Sequence, residues 1–265
     1  MNQSVVVTGC GTGLGRAIFE RLIDDGWTVV GMDRDVDRAA DARTVAGAGE
    51  VLVGDAGEPA DLARARERAT QLGPLGGWVN NAATALSGNL HEPVAAEVEQ
   101  VVRVNLMGYF WGCLEAIRSF VDQRSAGAIV NISSIHARSA FNGWAAYDMT
   151  KGGVNALTRY IAVEYGPVGI RANAIEPGAI RTPLMQGVID ASGDPVRAEH
   201  DMATLHPLGR VGEPMEIGSV AAFLLSPAAS FLSGECIAVD GAATARCYPY
   251  DPAPELLERY GRTGS

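Results

Sequence analysis

The sequence predicts a single α/β domain: a doubly wound sheet of about seven parallel strands with helices on both faces. Three observations lead there. Short β-branched runs alternate with stretches of helical periodicity along the chain, which is the pattern of βαβ units rather than of a sandwich or a bundle. The first run opens at once into a glycine-rich turn and then a helix-like pattern. The chain has 265 residues, 47% of them hydrophobic, enough for one α/β core without a second domain.

Ser4 to Val7 reads as the first strand, and Thr8-Gly9-Cys10-Gly11-Thr12-Gly13-Leu14-Gly15 follows it directly. Ala17, Ile18, Leu22 and Ile23 then recur at helical spacing until Gly26. A glycine turn in this place lets the backbone approach a phosphate while the helix N-terminus points N–H groups at it; alone, such a turn is equally compatible with a tight connection. The next strand, Thr28 to Met32, ends at Asp33. A carboxylate there accepts hydrogen bonds from both adenosine ribose hydroxyls and repels a 2′-phosphate, which favours NAD over NADP. Arg34 lies beside it in a charged turn (Asp33, Arg34, Asp35, Asp37, Arg38) and reads either as a softener of that preference or as a solvated surface residue.

Val51 to Val53 is the third strand, with Asp55-Ala56 at its carboxyl end, where open parallel sheets bind ligands. Asp55 is either a partner for the adenine amino group or a cap for the helix Pro59 to Leu72, which has proline in its first turn. Gly77 to Asn80 is the fourth strand, followed by Asn81-Ala82-Ala83. One long helical region is expected from Ala95 to Gln123 with Asn105 inside it, a residue that either satisfies backbone at a bend or faces the site and holds a water.

Ala128 to Ile132 is the fifth strand and ends in Ser133 and Ser134; a helix from Ala146 to Tyr165 follows. Tyr147 and Lys151 then stand one helical turn apart on one face. A cation beside a phenol favours phenolate, yet moving a phenol from about 10 to about 7 needs roughly 4 kcal/mol, more than one lysine supplies. A second positive charge is required. Arg171 to Ile175 is the sixth strand and leads into Pro177-Gly178-Ala179-Ile180-Arg181-Thr182. Residues 183–212 form a long polar segment expected to act as a substrate lid. A helix Pro214 to Leu225, a strand Cys236 to Val239 and a tail over 241–265 complete the chain, the tail carrying Tyr248, Tyr250 and Tyr260.

With 21 basic against 31 acidic residues the net charge is −10, which disfavours nucleic acid and anionic membrane as partners. Cys10, Cys113, Cys236 and Cys247 have neither C-x-x-C nor metal-ligand spacing, so reduced thiols and no metal are expected. No apolar run reaches the 18 or so residues of a membrane span, and the first strand begins too early to leave room for a signal peptide. The expectation is a cytoplasmic protein.

Thr8-Gly9-x-x-x-Gly13-x-Gly15, Asn80-Asn81-Ala82, Asn105, Asn131-x-Ser133-Ser134, Tyr147-x-x-x-Lys151 and Pro177-Gly178 stand in an order and spacing that resembles the short-chain dehydrogenase/reductase family over nearly the whole chain. The resemblance implies a Rossmann-type fold and hydride transfer between NAD(H) and a secondary alcohol or carbonyl compound. It makes Ser134, rather than Ser133, the serine that binds the substrate oxygen, Tyr147 the general acid/base, Lys151 the group that holds the nicotinamide ribose, and Asn105 the holder of a water that links Lys151 to solvent. Oxidised nicotinamide would be the missing positive charge. Gly9, Thr12, Gly13, Leu14, Gly15, Asp33, Arg34, Asp55, Ala56, Asn81, Ala82, Ala83, Tyr147, Lys151, Pro177, Gly178, Ile180 and Thr182 are the implied cofactor contacts.

Ser134, His136, Trp144, Tyr147 and Met185 are the candidate substrate contacts, with His200 and His206 as further candidates; a small-molecule substrate, similar to those of sugar and polyol dehydrogenases, is implied. So is a homotetramer or homodimer. The alternatives are an NADPH-dependent 3-oxoacyl thioester or steroid/ketone reductase and, in a different class, a non-catalytic dinucleotide sensor. Two positions depart from the family pattern: Ala83 stands where Asn-Asn-Ala-Gly is usual, and Ala242 where Asp-Gly-Gly is usual.

Overall fold

The computed structural model describes residues 3–44, 49–247 and 258–259. Seven strands form one parallel sheet: β1 (Ser4–Thr8), β2 (Thr28–Asp33), β3 (Glu50–Val53), β4 (Leu75–Asn80), β5 (Gly127–Ile132), β6 (Ile170–Pro177) and β7 (Cys236–Val239), in the order β3-β2-β1-β4-β5-β6-β7. The order reverses between β1 and β4. In an open parallel sheet that reversal leaves a crevice outside the strand carboxyl ends.

Nine helices were assigned among the described residues: α1 (Gly13–Asp24), α2 (Val36–Thr44), α3 (Pro59–Leu72), α4 (Ala95–Val102), α5 (Gly108–Asp122), α6 (Ala145–Tyr165), α7 (Pro183–Asp190), α8 (Pro195–Thr204) and α9 (Pro214–Leu225). β1 is buried along its whole length, so alternate residues feed two cores. Val5 and Val7 pack with Ile18, Phe19 and Leu22 of α1, Ala39 and Ala42 of α2 and Ile217 and Ala221 of α9. Val6 packs on the other face with Leu62 of α3, Phe120 of α5 and Ile161 of α6. Each such side chain contributes about 1.5–3 kcal/mol by leaving water, and both faces are covered, as β-branched strands without polar alternation require.

Three elements differ from expectation. The charged stretch after Asp33 is not a turn but α2: Asp35 Oδ1 accepts the N–H groups of Asp37 and Arg38, both at 3.0 Å, and so caps a helix whose buried stripe is only Ala39 and Ala42. The expected helix 95–123 is three pieces, because a π-helical segment, Arg103–Met107, separates α4 from α5. Its wider turn holds Asn105. Residues 183–212 carry α7 and α8, which are capped by Thr182 and Asp194; each capping side chain accepts an N–H three residues on, and each precedes a proline. Met185, Ile189 and Val211 make a small apolar cluster there, beside the crevice. Tyr248, Tyr250 and Tyr260 lie outside the described residues. No described helix is long and apolar enough to cross a membrane.

Candidate active site

A cleft of about 380 Å³ runs along the carboxyl ends of the strands. Its first part is backbone. Gly9 and Gly13 have φ of 69° and 57°, the left-handed region that costs other residues 1–2 kcal/mol. A Cβ on Gly15 would lie 1.9 Å from the Gly9 carbonyl oxygen, so the turn closes on α1 only with glycine there. Thr12 is the N-cap and makes no side-chain cap bond, which leaves the first N–H groups of α1 directed at the cleft. These residues fit a pyrophosphate.

Asp33 ends β2 and is buried; its Oδ2 accepts the Gly11 N–H at 2.9 Å and its Oδ1 the Asp35 N–H at 3.0 Å. The carboxylate is thereby fixed at the cleft wall, with exposed Arg34 and Arg38 at the rim. Asn81 stitches the loop after β4 to the glycine turn, donating from Nδ2 to Thr8 O at 2.9 Å and Gly9 O at 3.2 Å, while Thr8 Oγ1 accepts the Asn81 and Ala82 N–H groups. Ala83 lines the cleft without a left-handed backbone angle, so its methyl group is accommodated there. The other departure is different: Ala242 has φ of 72°.

Asp55 lines the cleft, and its capping reading needs correction. Glu58, not Asp55, is the N-cap of α3. The Asp55 carboxylate is committed to Arg103 Nη2 at 2.8 Å and to the Gly57 N–H at 2.8 Å. Burial pushes its pKa up, and the Arg103 and Gly57 hydrogen bonds outweigh that and hold it low.

The second part of the cleft joins β5 to α6. Ser134 Oγ accepts the His136 N–H at 3.2 Å, which leaves its own hydrogen free to donate, and it lines the cleft beside Tyr147. Ser133 instead donates to Lys151 O at 3.3 Å within the structure. Asn131 is a core residue that joins Asn80 to Thr158. Lys151 is 1% exposed; its Nζ donates to Ile132 O at 2.7 Å and to Tyr109 Oη at 3.2 Å, and lies 5.5 Å from the Tyr147 ring centre.

Burial pushes the Tyr147 phenol up to about 12, with the Ser134 hydrogen bond opposing. Burial also brings Lys151 down to about 7. In the chain by itself the lysine therefore does not make the tyrosine acidic. Desolvation wins because Lys151 loses charge in the same apolar surroundings that disfavour phenolate.

Asn105 does not line the cleft. Its Oδ1 accepts the Thr84 N–H and its Nδ2 donates to Thr84 O, both at 2.8 Å, so its amide clamps the loop that follows β4. A polar residue buried in a helix must find such a partner, and the π segment aims it at that loop.

At the far end stand His136, Phe141, Trp144, Leu184, Met185, Val188, Met202 and Leu205. His136 Nδ1 is 2.6 Å from Asp148 Oδ1, and burial lowers its pKa from the ordinary 6.5 against the pull of Asp148. Two expected contacts are elsewhere. His206 is buried between Asp240 O, 2.5 Å from Nδ1, and the Ala179 N–H, 3.1 Å from Nε2, where it ties the loop after β6 to the end of β7. His200 is exposed on α8 and off the cleft. The remaining expected cofactor and substrate contacts all line it: Gly9, Thr12, Gly13, Leu14, Gly15, Arg34, Ala56, Ala82, Pro177, Gly178, Ile180, Thr182, Trp144 and Met185.

Sequence reasoning missed Thr84, Arg103, Tyr109 and Asp148. Asn105-x-x-x-Tyr109 and Tyr147-Asp148 were visible as spacings, but their partners lie on other elements.

A family model described as enoyl-(acyl carrier protein) reductase matches residues 9–244. The 3beta-hydroxysteroid dehydrogenase 1 of Eggerthella lenta is 35% identical over 249 residues, covering 91% of this chain and 94% of that protein. Levodione reductase of Leifsonia aquatica is 36% identical over 255 residues, covering 92% and 95%. Among solved structures, ligand-free aldohexose dehydrogenase of Thermoplasma acidophilum superposes with a TM-score of 0.86 at 32% identity, covering 95% of this chain and 98% of that one.

Proposed function

The chain belongs to the short-chain dehydrogenase/reductase family, an oxidoreductase that acts on CH–OH groups with a nicotinamide dinucleotide, and from that premise we propose that it uses NAD and that Ser134, Tyr147 and Lys151 carry the reaction. The observation that supports this most directly is the convergence of the three in one part of the cleft, with Lys151 buried and held by Ile132 O. Their order in function follows from their hydrogen bonds. Ser134, whose oxygen already accepts from His136, donates to the substrate oxygen and stabilises alkoxide as it develops. Tyr147 takes the alcohol proton during oxidation and returns it during reduction. Lys151, held by Ile132 O and Tyr109, is the residue for the nicotinamide ribose.

The glycine turn and the N-terminus of α1 would hold the pyrophosphate, and Asp33 the adenosine ribose hydroxyls. When bound, the dinucleotide accepts or donates the hydride and, in its oxidised form, carries a positive charge. The buried carboxylate of Asp33 favours NAD and speaks against the NADPH-dependent acyl thioester reductase. A dinucleotide sensor has no use for the Ser134, Tyr147 and Lys151 set. α7 and α8 serve as the lid in this reading. Exposed Met149, Tyr160 and Val163 on α6 and Val121 on α5 suit a homotetramer or homodimer, which sedimentation of the purified protein reads directly.

Tyr147→Phe tests the acid/base role. General acid/base contributions of about 10²–10⁴ lead us to expect a fall in kcat of that size with NADH binding retained. Turnover within about threefold of wild type would remove Tyr147 from the mechanism.

A further inference from the structure

One pair of titratable side chains beside Tyr147 has no part in that mechanism. Asp148 Oδ1 lies 2.6 Å from His136 Nδ1, and Asp148 Oδ2 accepts the Phe141 N–H at 3.1 Å. The Phe141 ring stacks on the imidazole with centres 3.9 Å apart and planes at 14°. Trp144 and Tyr147 meet it edge-on at 5.5 and 5.1 Å. The carboxylate, the stacked ring and the edge contacts together fix the plane, the position and the tautomer of His136. A carboxylate on Nδ1 keeps the proton there, so Nε2 is a bare acceptor.

Nε2 has no hydrogen-bond partner among the described residues and is not among their enclosed, partnerless atoms. His136 lines the cleft, so this acceptor opens on the substrate compartment. The walls around it are hydrocarbon and sulfur from Phe141, Met185, Val188, Met202 and Leu205, with the Trp144 indole among them.

We propose that His136, held by Asp148, is a specificity-determining residue that accepts a hydrogen bond from a second hydroxyl on the carbon next to the reacting one. The substrate class is then a vicinal diol, or the corresponding α-hydroxy ketone, on an otherwise apolar skeleton. This rests on the reading of Ser134 and Tyr147 as the groups that grip the reacting oxygen. The His136 and Tyr147 rings are 5.1 Å apart and both line the cleft, and on this proposal Nε2 lies within reach of a hydroxyl on the carbon next to the one whose oxygen Tyr147 meets. A fully hydroxylated sugar would set more hydroxyls against these walls than His136 Nε2 and the Trp144 indole N–H pair, and each unpaired one costs affinity. The polyol class is narrowed to members with a hydrocarbon face.

Two measurements test this. With NAD, kcat/KM for cis-1,2-cyclohexanediol should exceed that for cyclohexanol by about tenfold, the worth of one hydrogen bond. That ratio should collapse in His136→Leu and be largely kept in His136→Gln, whose amide oxygen still accepts. In the Tyr147→Phe protein with NADH, 2-hydroxycyclohexanone should quench tryptophan fluorescence at about tenfold lower concentration than cyclohexanone, a preference that a further His136→Leu should erase. Equal affinities for the two ketones in the Tyr147→Phe protein, or an equal loss on both alcohols in His136→Leu, overturns the role of His136. Full turnover by Tyr147→Phe would overturn the acid/base reading instead, and the ketone affinities would still judge His136.

Discussion

At the scale of single residues, Asp33 carries the choice of dinucleotide in this account. Its carboxylate is fixed by two backbone N–H groups and stands between the glycine turn and the exposed Arg34 and Arg38. Asp33→Ser removes the negative charge and leaves both arginines to meet a 2′-phosphate. Charged hydrogen bonds are worth about 1.5–3 kcal/mol each, so the ratio of kcat/KM with NAD to that with NADP should move toward NADP by about two orders of magnitude. Initial rates at low dinucleotide concentration read this; an unchanged ratio would take Asp33 out of cofactor choice. The cleft positions of Asp33, Tyr147 and Lys151 were legible in the sequence because each sits at a strand end or one helical turn from another, where spacing sets the geometry, while Ser134 was told from Ser133 only by the family resemblance. Asp148, Tyr109 and Arg103 were not. Their roles depend on partners 12 to 48 positions away, chosen by packing between elements. Asn105 was legible as a polar residue inside a helical region but not in its orientation, since nothing local to it records that the π segment aims its amide at Thr84.

At the scale of elements, the caps decided what could be read. α3 and α9 begin at Pro59 and Pro214 and were located to the residue, because proline in the first turn marks a start. α2 was missed because its buried face is two alanines, too weak a stripe to show periodicity. The turn after β7 carries a local cost. Asp240 accepts the Ala242 N–H at 3.0 Å and the Thr244 N–H at 2.8 Å, and this wrap holds Ala242 at φ 72°. Glycine occupies that region without the Cβ penalty, so Ala242→Gly should stabilise the protein by about 1 kcal/mol, net of the entropy glycine loses on folding. Denaturant unfolding checks it: a midpoint unmoved or lowered would mean that the turn relaxes around the methyl group.

At the scale of the whole molecule, the strand reversal between β1 and β4 sets the two halves of the site face to face. β1, β2, β3 and the loops after β4 and β6 carry the groups suited to the dinucleotide, and β5 and α6 carry Ser134 and Tyr147, suited to the alcohol. On the proposed mechanism the chemistry needs both, because burial holds Tyr147 at about 12 and Lys151 at about 7 in the chain alone. In that mechanism Tyr147 acts as the base once a bound oxidised dinucleotide supplies the positive charge. The most direct measurement is the near-ultraviolet phenolate absorbance of wild type minus Tyr147→Phe, titrated with and without NAD. The account predicts that the Tyr147 phenolate forms only at strongly alkaline pH in the protein alone and at least about two pH units lower with NAD, roughly 3 kcal/mol of added stabilisation. A phenolate already present near neutral pH without NAD, or one that NAD does not move, would contradict it.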